Sequence, residues 1–74
     1  MKTPRFGIGT QFKRVGRKHA PLETVTDILT TFNTAGELVH IRYVATHEVL
    51  GQTVTDRGVV DTTIARGLVA KVAP

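Results

Sequence analysis

The residues of this 74-residue chain best able to do chemistry are three histidines and six carboxylates, because it contains no Cys and no Ser. Their absence excludes disulfides, thiolate metal sites and the two commonest nucleophiles. Thr replaces Ser as a nucleophile when it lies at a free N-terminus beside its own amine, and Met1-Lys2-Thr3 does not present that without processing. His40 and His47 are seven apart, so a regular strand would place them on opposite faces, poor geometry for a shared metal. His47 and Glu48 fall at an expected turn, where an acid–base pair or ligand set needs a third group brought in by folding; without one they are solvated loop residues. Gly7-Ile8-Gly9 lacks the further glycine and the helix start of a phosphate loop. The six carboxylates are scattered over turns and strand ends, so no catalytic residue, metal site or cofactor is expected and the chain reads as non-enzymatic.

What remains is binding. The net charge of +4 is uneven: residues 1–19 carry Lys2, Arg5, Lys13, Arg14, Arg17 and Lys18 with no acid. The rest holds four Lys or Arg against six Asp or Glu, net −2. Lys13, Arg14, Arg17, Lys18 and His19, with Arg42 adjacent across the fold, are therefore the candidate nucleic-acid contacts. Such a cluster neutralises phosphates of DNA or RNA with little sequence preference, whereas the bland alternative is a solubilising loop. The rival expectation is a protein-binding effector that docks on a host protein, or a barrel that self-assembles through an open edge into a homo-oligomer. In that case Arg42, Tyr43 and the segment 47–50 carry the function, and an exposed Val49-Leu50 tip would favour it. A polyproline-reading groove is disfavoured, since one Tyr and three Phe are mostly needed by the core.

These side chains must be positioned by strands, because Val, Ile and Thr are abundant and turn residues recur at short intervals. The first strand is expected at 10–15, ended by the Gly and Pro of 16–21. The second spans about 22–32 with a bend or bulge near Asp27, where neither face is cleanly apolar. Asn33-Thr34-Ala35-Gly36 suits a four-residue hairpin loop closed by Gly36. In the third strand Val39, Ile41, Tyr43 and Ala45 point inward, and Leu38, His40, Arg42 and Val44 outward. A connection at 47–52 leads into 53–56, and Asp56-Arg57-Gly58 offers a further turn. Asp61 is a candidate N-cap for one helical turn through 62–66, closed by Gly67 before a last strand at 68–72. The string Thr-Val-Thr-Asp at 24–27 and 53–56 is read as two similar strand ends rather than a repeat.

Four or five short antiparallel strands with one helical turn near the C-terminus predict an all-β fold that closes to remove its edges. This layout resembles the small SH3-like barrels, with Phe12, Val25, Ile28, Val39, Ile41, Tyr43, Val54, Val59, Ile64 and Leu68 as expected core. Residues 1–9 are expected to form a flexible N-terminal arm and 10–74 a single barrel domain. The stretches 42–48, 51–56 and 62–67 resemble a group of small bacteriophage and prophage proteins, which implies a mobile-element origin and the cytoplasm of a bacterial host. The strand layout is also similar to plasmid-encoded dihydrofolate reductase, a tetrameric SH3-like barrel. Its Val-Gln-Ile-Tyr active-site motif has no counterpart here, so that resemblance implies architecture and no catalytic residue. No apolar run approaches the roughly 20 residues of a membrane helix, so no membrane partner is expected.

Overall fold

A computed structural model describes residues 3–73. The chain is all-β with one short helix: β1 (Gln11–Arg14), β2 (Glu23–Phe32), β3 (Leu38–Val49), β4 (Gln52–Val60), α1 (Asp61–Ala65) and β5 (Val69–Ala73). One antiparallel sheet takes the order β4-β3-β2-β1-β5, a small barrel-like arrangement in which the first and last strands are neighbours.

The sheet curls because β3 is flanked by bulges on both sides. Thr26 is an extra residue between the pairs Val25↔Ala45 and Asp27↔Val44. Arg57 and Gly58 together oppose Val44 between the pairs Tyr43↔Val59 and Ala45↔Asp56. Bulges bend a strand and raise its twist, and two at one level turn a flat sheet inward. The expected bend near Asp27 is therefore present. The expected turn at 56–58 is instead the second bulge, with the Asp56 carboxylate accepting the Gly58 N–H at 2.8 Å.

Inside lie Phe6, Phe12, Val25, Ile41, Tyr43, Ala45, Val59 and Val69, with Ile28, Leu38 and Ile64 packed against them. The Phe6 ring sits 5.6 Å from Phe12 and 5.8 Å from Tyr43, centre to centre. The N-terminal arm is thus part of the body: the Arg5 N–H donates to the Tyr43 hydroxyl at 2.8 Å, and the Gly9 N–H to the Val25 carbonyl. A buried aromatic ring is what ties down the segment 3–9, expected to be flexible as a chain-terminal arm; residues 1 and 2 lie outside the described residues.

Other expectations are corrected by the extent of the strands. β3 continues through His47 and Glu48 to Val49 and reverses in a two-residue turn, with Leu50 at φ 51° and Gly51 at φ 78°. Positive φ at both positions matches the twist of a tight hairpin, which is why β3 and β4 need no longer connection. Val39, Val54 and Leu68, assigned to the core, are 45%, 40% and 44% exposed. Val39 lies on a stretch of the β2–β3 hairpin paired only with β2; Val54 lies on the outermost strand and Leu68 in the turn after α1. Val44, expected outward, is buried where the two bulges meet. Asp61 is the first helical residue rather than the cap, which is Val60, and its carboxylate pairs with Arg5 at 3.1 Å. The hairpin loop forms with Gly36 at positive φ as expected, but runs over 33–37, one residue longer than the four expected, with the Asn33 side chain accepting the N–H groups of Ala35 and Glu37.

The molecule measures 45 × 23 × 19 Å with a radius of gyration of 13.0 Å, against about 11 Å for a compact domain of this length. The excess belongs to the β2–β3 hairpin, whose distal part extends past the other strands. Among the described residues no helix is long and apolar enough to cross a membrane.

Candidate functional site

Pairing brings four ionisable side chains together at one end of the barrel. Glu23 lies opposite Phe12, and Thr24 opposite Thr46, so Glu23 and His47 are the next neighbours along β2 and β3. Asp56 opposes Ala45 on β4. Arg14, two residues beyond Phe12 on β1, reaches across to Asp56, Nη2 to Oδ2 at 2.5 Å. Strands β1 and β4 are not neighbours in the sheet, so this ion pair spans the barrel mouth.

Glu23 is the unusual member. Only 2% of its side chain is exposed; Arg14 Nε lies 3.7 Å from its Oε2, and the Asp56 carboxyl lies beside it. Its Oε1 faces His47 Nδ1 at 3.7 Å, too long for a hydrogen bond, and both atoms are buried without a partner. Burial first, and the Asp56 carboxyl beside it second, push the Glu23 carboxyl up to about 7 against the pull of Arg14. Burial also acts to raise Asp56, but the Gly58 N–H and Arg14 outweigh it and hold that carboxyl below its ordinary range. Two adjacent carboxyls are thus driven apart, one ionised and one able to carry a proton at neutral pH.

The cluster lines a cleft of about 700 Å³. Arg17 and His19, both exposed, also line it. Among the described residues no group of three or more His, Asp or Glu is arranged to hold a metal ion.

The structure divides the basic residues singled out from the sequence. Lys13, Arg17, Lys18 and His19 are exposed, without an ion pair among the described residues. Arg14 is committed to Asp56 and Glu23 inside the mouth. Arg42 is exposed but lies opposite Leu29 and Val60, on β3 rather than beside the loop. Glu23 was not distinguished from the other carboxylates by sequence; His47 was read with Glu48 as a solvated turn residue, whereas the structure sets it on β3 against Glu23 and leaves Glu48 exposed. The one sequence signal for the cluster was Asp56-Arg57-Gly58, read as a turn.

Comparison with known protein families, with curated proteins and with solved structures finds no match to this chain.

Proposed function

We propose that this chain is a non-enzymatic nucleic-acid-binding module that grips the phosphate backbone through Lys13, Arg17, Lys18 and His19. The observation that carries the reading is the contrast just described: the barrel uses Arg14 internally and leaves four basic side chains of β1 and its following loop exposed and, among the described residues, outside any ion pair. Exposed cations close together in the chain are what counterion release requires. Three or four phosphate contacts imply that affinity falls on the order of 50–150-fold between about 50 and 200 mM salt. Fluorescence anisotropy with generic single- and double-stranded DNA and RNA tests this. The informative variant is Arg17→Glu with Lys18→Glu, leaving Arg14 untouched because its loss strands two carboxyls in the mouth. Absence of binding at low salt, or binding that this double variant leaves unchanged, overturns the reading.

One observation favours a second reading, a phage-encoded effector that docks on a host protein. Leu50 is 99% exposed and Val49 45% exposed at the tip of the β3–β4 hairpin. Leu50 also holds a left-handed backbone conformation, which costs a residue with a branched side chain about 1 kcal/mol or more. A leucine that is both exposed and strained has no folding rationale and fits an anchor for a partner's apolar pocket. Capture of one specific host protein by the wild type and not by Leu50→Asn tests it.

A further inference from the structure

β4 is an outermost strand of the sheet, and among the described residues the only elements packed against it are β3 and the helix that follows it. Its outer side therefore presents main-chain N–H and C=O groups to which no strand is paired. Which residues carry them follows from the turn. A two-residue turn closes on a hydrogen-bonded pair, here Val49↔Gln52. Hydrogen-bonded and non-hydrogen-bonded pairs then alternate, so Val54 and Asp56 bond to β3 while Thr53 and Thr55 turn their N–H and C=O groups outward.

Folded proteins blunt such edges with lysine, proline, bulges or brevity, because an open edge is a template for another strand. The other free lengths of this sheet are blunted. β5 has five residues, with Lys71 at its centre and a register shift beside it. The free length of β2 starts at a bulge and carries Asp27, and that of β3 carries His40. β4 has no such guard from Gln52 to Thr55, where every residue is exposed and uncharged and Val54 is 40% exposed. The turn at 50–51 and the bulge at 57–58 bound this regular stretch, so it spans Gln52 to Asp56 with Val54 at its centre.

That centring selects the occupant. Laid antiparallel on itself about Val54, the stretch pairs Thr53 with Thr55 of the copy, both with outward groups, and sets Val54 against Val54 at a non-hydrogen-bonded position. A shift by one residue mismatches the groups, and a shift by two sets a threonine against the turn or the bulge. Gln52 then meets Asp56, so no like charges are opposed.

We propose that the outer edge of β4 is the contact surface for a second copy of this chain, the two sheets joining through antiparallel pairing about a two-fold axis at Val54. About four main-chain hydrogen bonds and the Val54 contact hold it. This is a small interface, under the roughly 1,200 Å² of stable complexes, so the dimer dissociates on the order of 100 μM. The inference is independent of the phosphate grip, whose residues lie on β1 and its following loop.

Sedimentation velocity of the full chain from about 10 μM to about 1 mM reads the monomer–dimer equilibrium. Val54→Lys sets two lysines against each other at the axis and is expected to weaken self-association at least about tenfold. Because the side chain is already exposed, its circular dichroism and melting temperature should stay near those of the wild type. Val54→Cys tests the register. Non-hydrogen-bonded pairs hold their Cα atoms roughly 4.5 Å apart, within disulfide reach, and the chain has no other cysteine. Under a mild thiol oxidant this variant is expected to form a covalent dimer at least about tenfold faster than Thr31→Cys, an exposed position on the distal hairpin. A chain that stays monomeric at the highest concentration, a dimer that Val54→Lys leaves unchanged, or equal cross-linking of the two cysteine variants overturns the proposal. Species that grow beyond a dimer overturn it too, since head-to-tail pairing of β4 on β5 does not close.

Discussion

Glu23→Gln makes the folded protein more stable at alkaline pH, although it deletes a charge that has an arginine beside it. The carboxyl moves from its ordinary 4.5 to about 7 on folding. At about 1.36 kcal/mol per pH unit, ionising it in the folded state costs about 3 kcal/mol more than in the unfolded chain. The sign follows from the proton count. Between about pH 4.5 and 7 the folded protein retains a proton that the unfolded chain has released, so wild-type stability falls as pH rises through this window and levels off above it. Glutamine mimics the protonated acid and does not titrate. Its advantage is therefore near zero at about pH 4.5 and grows to about 3 kcal/mol at about pH 8. Asp56 has the opposite sign, contributing stability above its ordinary 3.8 that is lost as pH falls through its lowered value, so its window lies on the acid side of this one. Urea denaturation of both chains at matched pH is the assay, and groups common to both cancel in the difference. At about 1–3 kcal/mol per molar urea, the midpoints should separate by on the order of 1–3 M at alkaline pH. Midpoints that stay parallel from pH 5 to 8, or a wild type that is the more stable at pH 8, would refute the argument that burial governs Glu23.

Two further substitutions probe other parts of the structure. Leu50→Asn supplies the Asn-Gly pair that a tight hairpin turn favours and removes an exposed apolar side chain, so it should raise stability by about 1 kcal/mol, or roughly 4–8 °C in melting temperature; a lower melting temperature would show that Leu50 contributes packing the structure does not contain. Phe6→Ala should cost about 3–5 kcal/mol, most of the stability of a domain this size, whereas Ile8→Ala, at a side chain 70% exposed, should change it by about 0.5 kcal/mol or less. Chemical denaturation compares the pair, and equal effects would detach the N-terminal segment from the core.

Local signals carried the strands far. The hairpin at Asn33 to Gly36, the bend near Asp27 and the helical turn after Val60 each rest on a few neighbouring residues, and alternation identified Ile41, Tyr43 and Ala45 as one buried face. Alternation names a face without saying how far the neighbouring strand extends, and so Val39 was placed inside although, among the described residues, no third strand pairs along that length of the hairpin. Phe6 was missed for a related reason: an isolated aromatic among glycines has no period to betray it. The mouth cluster is less legible still. Arg14 and Asp56 are 42 residues apart, and their meeting depends on both bulges curling the sheet. Lys13, Arg17, Lys18 and His19 form a run in sequence and could be picked out at once; that Arg14, in the middle of the run, turns the other way follows from its sharing a face with the buried Phe12.

The distal β2–β3 hairpin has a consequence for motion. Thr30, Thr31 and Phe32 pair only with Ile41, His40 and Leu38, and no third strand backs them. Leu29 and Phe32 are at least half exposed. A two-stranded ribbon is marginal by itself, so this end can open while the barrel stays closed. Amide hydrogens there should exchange with solvent through local fraying, at rates that denaturant hardly alters, while those of Tyr43 and Ala45 exchange only when the whole barrel opens. The protein therefore carries, on a rigid body, an arm with its own and much lower free energy of opening.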